Sequence, residues 1–301
     1  MKTFKKIIKE VAPPILISTI KKFKSSFIKP VIRSDRKFNM DGIDILLPAD
    51  HKLDLFQKIF PTYDKFITII PKYLSKDSIV IDIGANVGDS AIPFLKENIK
   101  TVCVEPSSLY VEYLRKNIED NNFSELTIIV KKLISTKNSK TNLAIKDGTA
   151  TSNVHHEEST LTEEINDSIS LDHLMKNYSK VSLVKIDTDG FDFDVINSGK
   201  NFFTKNKPLI FFENYINETN EKDYDDMYTF LEKAGYENIS IFNNRGMLII
   251  HNASWRHLRN LNNYMRMDTV RSIGYTDVFC YQDVDKQTAD IIVSEFVQKF
   301  M

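Results

Sequence analysis

Cysteine is nearly missing from this chain of 301 residues, which has two. Cys103 and Cys280 each lie inside an apolar, strand-like run and read as small buried hydrophobes, which argues against a disulfide scaffold or a cysteine-rich metal centre and for a reducing, cytoplasmic setting. Long apolar runs are lacking too. Val11 to Ile20 is broken by Pro13 and Pro14 and followed by Lys21, Lys22 and Lys24. That falls short of the roughly 20 apolar residues that span a bilayer, and no small-residue cleavage site follows it. Charge of one sign is absent overall: 40 basic and 41 acidic side chains give a net −1, with no general bias toward nucleic acid. The balance is uneven, since residues 1–37 form a strongly basic arm. Its lysines alternate with Ile, Leu and Phe between Ile15 and Ile28, a partly helical pattern that suits docking on the rest of the chain. Peripheral contact with an acidic membrane surface is the alternative.

What is present is enough apolar matter for a sizeable core, 42% hydrophobic residues with 27% charged. Asp41-Gly42 between two short apolar runs predicts a hairpin, and a helix is expected over Thr62 to Tyr73. From Ser78 onward, β-branched runs alternate with amphipathic stretches. Strands are predicted at Ser78 to Ile83, Thr101 to Glu105, Leu126 to Val130, Val181 to Ile186 and Leu209 to Phe212, with helices between them. This alternation implies a mostly parallel sheet covered on both faces. Residues 135–170 interrupt it with a polar segment containing His155 and His156, read as an excursion facing substrate. Further strands are expected at Asn238 to Phe242, Met247 to Ile250 and Asp277 to Tyr281, with a terminal helix at 285–299.

The most informative segment is Asp82-Ile83-Gly84-Ala85-Asn86-Val87-Gly88-Asp89-Ser90, at the end of a predicted strand. Its glycines permit a tight turn and close approach of backbone to a ligand at the carboxyl edge of the sheet. A dinucleotide loop would supply Gly-x-Gly-x-x-Gly to receive pyrophosphate, and this chain does not. Asp82 instead suits the positive amino group of a methionine moiety, directly or through water. Glu105, at the end of the next strand, can accept hydrogen bonds from both hydroxyls of an adenosine ribose.

DIGANVGDS, VEPSSLYVEYLRKNIEDNN, SLDHL and VKIDTDGFDFDVINSG ahead of KPLIFFE together resemble the FkbM family of S-adenosylmethionine-dependent methyltransferases, over roughly Ser78 to Glu213. The resemblance implies an α/β class I methyltransferase (Rossmann-like) fold, with a mostly parallel seven-stranded sheet whose last strand is antiparallel. It also implies O-methylation of a sugar, nucleotide-sugar or glycan hydroxyl. Asp82, Gly84, Asn86 and Gly88 then fall in the loop for the methionine part, Glu105 at the ribose and Ser135 at the adenine edge. The implied organisation is the basic arm, residues 1–37, and a methyltransferase domain, residues 38–301, with 135–170 as a variable segment on the acceptor side.

Lys185-Ile186-Asp187-Thr188-Asp189-Gly190 carries two carboxylates to the same sheet edge, where they suit a divalent cation or the hydroxyls of a sugar. The resembled family usually has Asp-Val-Glu-Gly where this chain has Asp187-Thr188-Asp189-Gly190, so the second carboxylate is one methylene shorter. Methyl transfer from a sulfonium needs alignment and removal of the hydroxyl proton. The candidate catalytic groups are Asp189, preferred because the sheet edge fixes it, with Asp187, His155 and Glu213. His251 and the group Trp255, Arg256, His257 and Arg259 are further candidates for reaching an acceptor. An NAD-dependent oxidoreductase and a non-catalytic S-adenosylmethionine-binding protein are the competing readings.

Overall fold

The computed structural model describes residues 34–137, 141–146, 148–151, 161–165, 167–216, 220–268 and 272–301. The basic arm up to residue 33, and with it the membrane-docking expectation, lies outside the described residues, as do His155 and His156. Among the described residues no helix is long and apolar enough to cross a membrane.

Strands β1 (Arg36–Met40) and β2 (Ile43–Leu47) pair antiparallel across Asp41-Gly42. Both turn residues have positive φ, 49° and 90°, the geometry of a two-residue type I′ hairpin. Helix α1 (Leu53–Ile59) follows, an element not expected from the sequence. The helix expected over Thr62 to Tyr73 is instead two short 3-10 turns, Phe66–Thr68 and Ile70–Tyr73. Pro71 would remove an interior hydrogen bond and crowd the preceding turn of a continuous α-helix, and Asp64 takes a left-handed φ of 57°.

Next come β3 (Ile79–Ile83), α2 (Ile92–Lys96), β4 (Lys100–Val104), α3 (Ser108–Asp120) and β5 (Thr127–Val130). The polar segment then builds β6 (Leu133–Ile134), β7 (Thr141–Lys146), β8 (Thr149–Thr151), β9 (Leu161–Ile165) and β10 (Ser168–Ile169). After α4 (Leu171–Leu174) the chain forms β11 (Val181–Ile186), α5 (Asp192–Ser198), α6 (Lys200–Asn206), β12 (Leu209–Asn214) and α7 (Glu221–Lys233). It closes with β13 (Asn238–Asn243), β14 (Leu248–Ala253), α8 (Trp255–Met267), β15 (Thr276–Tyr281) and α9 (Lys286–Phe300).

The main sheet has the order β14-β13-β15-β12-β11-β3-β4-β5. The five strands from β5 to β12 are parallel, and β15 runs antiparallel between β12 and β13. Eight strands stand where seven were expected. The strand beyond the seven implied by the resemblance is the edge strand β14, which the local pattern over Met247 to Ile250 predicts and the turn Asn243-Asn244-Arg245-Gly246 folds back antiparallel on β13. The turn closes through Gly246 N–H to Asn243 O (2.8 Å), with Gly246 at φ 74°.

Alternate residues of the central strands feed two cores, as the two-residue period of a strand requires. Ile81, Val184, Ile210 and Val278 pack with Val195, Phe202, Tyr224 and Leu258. Val80, Leu183, Leu209 and Phe279 meet Phe66, Phe94, Ile292 and Phe296 on the other face. Sheet order reverses direction between β3 and β11, because the chain first builds outward through β4 and β5 and then returns to build β11 and β12. In open α/β sheets that switch point, at the carboxyl ends of the strands, is where a ligand crevice forms.

Candidate active site

Two adjoining cavities of about 390 Å³ each open at this edge. The first runs from the β3 and β4 ends to β6 and the start of α5. Ile83, Gly84, Glu105, Ser135 and Asp189 are among its lining residues. The second lies toward α1, β12 and β15, where Tyr63, Asp64, Glu213 and Asp277 contribute. Gly84, Asn86, Asp187 and Asp189 line both, so the cavities meet at the tips of β3 and β11.

Backbone geometry makes this meeting tight. A Cβ on Gly84, whose φ is 78°, would lie 1.8 Å from the carbonyl oxygen of Asp187, so a side chain there is excluded by contact as well as by conformation. Asn86 also has positive φ, 47°. Its N–H donates to Glu105 Oε2 (2.9 Å) and its amide donates to Gly148 O (2.8 Å). Glu105 is 4% exposed, and its Oε1 accepts from Ser107 N–H (2.9 Å). Burial pushes its pKa up to about 7, against the pull of the Ser107 and Asn86 N–H donors. Ser135 lines the same cavity and donates to Asp194 Oδ2 (2.6 Å).

Two residues expected in the cofactor loop, Asp82 and Gly88, line neither cavity. Asp82 is fully buried. It accepts from Ser90 Oγ (2.7 Å) and pairs with Lys185 Nζ at 3.3 Å, because its position inside β3 turns the side chain onto the neighbouring strand β11. Gly88 also stays behind the cavity walls, and a Cβ on it would meet Leu114 Cδ1 at 2.7 Å. Its smallness serves the packing of α3 against the loop.

Lys185 was not singled out from the sequence, yet it is the central cation. It is 6% exposed, lines the second cavity and donates to Gly84 O (3.2 Å), with Asp82 at 3.3 Å and Asp187 at 3.4 Å. Burial alone would lower its pKa, but the carboxylates of Asp82, Asp187, Asp89 and Asp64 outweigh that and raise it. Asp189 has φ 52° and a pKa pushed up to about 7, first by burial and then by the charges of Asp187 and Asp192. Asp192 braces the loop, accepting from Thr188 N–H and Oγ and from Glu213 N–H. Glu213 and Asp277 sit opposite one another on β12 and β15. Both are held well above the usual carboxylate range, by burial first and then by Asp187 and other acidic neighbours.

His51 also escaped the sequence reading. It is 8% exposed, its Nδ1 accepts from Leu53 N–H (3.3 Å) and its Nε2 lies 3.3 Å from Asn86 Oδ1. The Leu53 bond leaves the ring proton on Nε2, directed at Asn86. Burial lowers its pKa. The five other candidates, His251, Trp255, Arg256, His257 and Arg259, lie outside both linings. His251 pairs with Asp290 (2.8 Å) and Ser240 (2.8 Å). Trp255 is fully buried with its N–H on Tyr236 O (2.6 Å), and Arg259 pairs with Asp225. Helix α8, which carries Trp255 and Arg259, packs Trp255 and Leu258 into the core and pairs Arg259 and Arg266 with α7. Among the described residues no group of three or more His, Cys, Asp or Glu is arranged to hold a metal ion.

A mixed sheet of this order, with a glycine loop after its first strand and a carboxylate at the tip of its second, defines an S-adenosylmethionine-dependent methyltransferase fold. The methyltransferase FkbM domain matches residues 82–237, just over half of the chain. The chain belongs to this family and is an S-adenosylmethionine-dependent methyltransferase. No curated protein matches the sequence. Among solved structures it is similar to methyltransferase FkbM from Methylobacillus flagellatus KT, at 12% identity and TM-score 0.44 over 76% of this chain and 59% of that one. It is also similar to an O-methyltransferase from Bacillus cereus in complex with SAH, at 10% identity and TM-score 0.42 over 93% and 97%. A third is a SAM-dependent methyltransferase from Agrobacterium tumefaciens, at 8% identity and TM-score 0.46 over 84% and 71%.

Proposed function

We propose that this methyltransferase acts on a hydroxyl of a sugar or glycan-type acceptor held in the second cavity, with S-adenosylmethionine in the first. The observation that carries this reading is the meeting of the two cavities at Gly84, Asn86, Asp187 and Asp189. S-adenosylmethionine supplies an electrophilic methyl group on a positively charged sulfur. The first cavity fits that group. Each oxygen of Glu105 takes one backbone N–H and keeps a lone pair for a ribose hydroxyl. Gly84 and Asn86 border the methionine part, and Ser135, braced by Asp194, borders the adenine edge.

Asp189 takes the hydroxyl proton. With its pKa near 7 it is half ionised at neutral pH and basic enough to accept a proton from an oxygen that is losing it. Asp187 and Glu213 orient acceptor hydroxyls. Asp82 acts at one remove: it fixes the Lys185 ammonium, which holds the Gly84 carbonyl and draws Asp187 to the rim. His155, a sequence candidate for the same proton, lies outside the described residues.

The test is methyl-labelled S-adenosylmethionine incubated with the purified chain and a fractionated cell extract, with and without Asp189→Asn. Label in carbohydrate that depends on Asp189 is the expected result. Label confined to protein or RNA overturns the acceptor assignment.

A further inference from the structure

Six carboxylates line the second cavity: Asp64, Asp89, Asp187, Asp189, Glu213 and Asp277. Its cations are Lys52 and Lys185, with His51 as a third basic side chain. Asp187 and Asp189 are shared with the first cavity, where a sulfonium accounts for negative charge. Asp64, Asp89, Glu213 and Asp277 line only the second.

Buried oxygens without a hydrogen-bond partner occur at the same place, as they do at Asp82, Ser107 and Asn197. Among the described residues, few buried side-chain oxygens lack a partner, and two of them are Glu213 Oε2 and Asn244 Oδ1, both on the wall of this cavity. Glu213 is 8% exposed. Leaving a buried acceptor unsatisfied costs about 1–3 kcal/mol, and more for a charged one, so the wall is built for a donor that arrives with the ligand. A sugar hydroxyl brings one donor and no charge. An ammonium brings three donors, and its charge would favour the ionised form of the four unshared carboxylates, which burial and neighbouring acidic charge otherwise disfavour.

We infer that the acceptor is an amino sugar, or a comparable polyol bearing a primary amine, whose ammonium docks between Glu213 and Asp277 while a nearby hydroxyl is presented at Asp189. This deepens the sugar-acceptor reading and rests on it. Carboxylates that hold the nitrogen as an ammonium keep its lone pair in an N–H bond. The hydroxyl is therefore left as the nucleophile, and the product is an O-methyl ether with a free amine.

The experiment uses the full chain loaded with S-adenosylhomocysteine and titrated calorimetrically with methyl hexosides of the gluco and galacto series. Each carries an amine at one ring position and is matched to its N-acetyl and hydroxyl counterparts. The expected result is that at least one amine binds about tenfold tighter than both of its counterparts. In Glu213→Gln/Asp277→Asn that preference falls below about threefold, with affinity for S-adenosylhomocysteine unchanged. The near-isosteric pair keeps the fold, and an unchanged melting profile checks it. Equal binding within every matched set, or preference for the neutral members, overturns the inference and leaves methyl transfer to sugars standing. If no sugar of either kind binds or is methylated while S-adenosylhomocysteine does bind, the sugar reading falls and the inference with it.

Discussion

Replacing Lys185 with methionine puts the electrostatics of the strand junction to a quantitative test. The ammonium lies 3.3 Å from a fully buried carboxylate, Asp82. With an effective dielectric constant of about 20, attraction at that distance is about 5 kcal/mol before desolvation is counted. Asp187 adds less, since its side chain is 52% exposed and screened by solvent. Removing one partner of a buried pair strands the other, and the usual cost is about 3–5 kcal/mol. We therefore expect Lys185→Met to lower unfolding free energy by about that amount in urea at neutral pH, with an unchanged m-value. The double variant Lys185→Met/Asp82→Asn removes the stranded charge and leaves an amide that Ser90 can still reach. It should regain at least half of the loss, about 2 kcal/mol. A double variant no more stable than Lys185→Met would refute the pairing as the source of the cost. A single variant within about 1 kcal/mol of wild type would refute the burial argument altogether.

The base assigned to Asp189 makes activity depend on its ionised form. With a pKa of about 7, kcat/KM should rise as pH increases through 7 and fall roughly tenfold per unit below about 6, a profile that Asp189→Asn abolishes along with about 10²–10⁴ of the rate. Glu105 is the opposite case in stability. Its folded pKa of about 7 exceeds the ordinary 4.3 or so, so the folded state binds the extra proton and stability falls as pH rises from about 4.3 to 7. Urea melts of Glu105→Gln across that window should lose up to about 3 kcal/mol of this slope, and calorimetry should show S-adenosylhomocysteine binding at least tenfold more weakly, roughly 1.4 kcal/mol. Gly84→Ala places a methyl group 1.8 Å from the Asp187 carbonyl at a left-handed φ, and should cost about 2–4 kcal/mol and eliminate cofactor binding by calorimetry. Asn117 is 1% exposed and ties α3 to Leu46 N–H and O and to Val87 O. Asn117→Leu should cost about 2 kcal/mol in the same urea melts, by leaving one buried and two half-buried backbone groups with one partner fewer.

The central sheet was legible because its strands are buried on both faces. Runs such as Ile79–Ile83 and Val181–Ile186 have no polar alternation to confuse with a helix, and a glycine or aspartate marks each exit. Strand tips were legible for the same reason, and that is how Glu105, Asp187, Asp189 and Glu213 came to be named. The opening helices were not, since the stretch from Leu53 to Tyr73 mixes one short α-helix with 3-10 turns around Pro61 and Pro71, and local pattern does not separate these. Asp82 was read as a ligand contact because its place in the motif is right. What local pattern does not show is its partner across the strand, Lys185, since register between β3 and β11 is a tertiary fact.

Lys185 shows where the remaining information lay. A lysine inside an otherwise apolar strand is a local inconsistency, because burying an unpaired ammonium costs several kcal/mol. Such a residue calls for carboxylates nearby on chemical grounds alone. Asp82 lies beside it in the register of β3 and β11, and Asp187 comes two residues later, just past the end of β11, with its carboxylate 3.4 Å from the ammonium. The cation thus joins the loop after the first strand to the loop after the fourth strand of the parallel set, which are the two loops that both cavities share. With methyl donor and acceptor placed as proposed, holding these loops together would set the distance between the two. A substitution that spares the fold yet loosens this lysine, such as Lys185→Arg with its bulkier planar head, should therefore lower kcat more than it raises KM for either ligand.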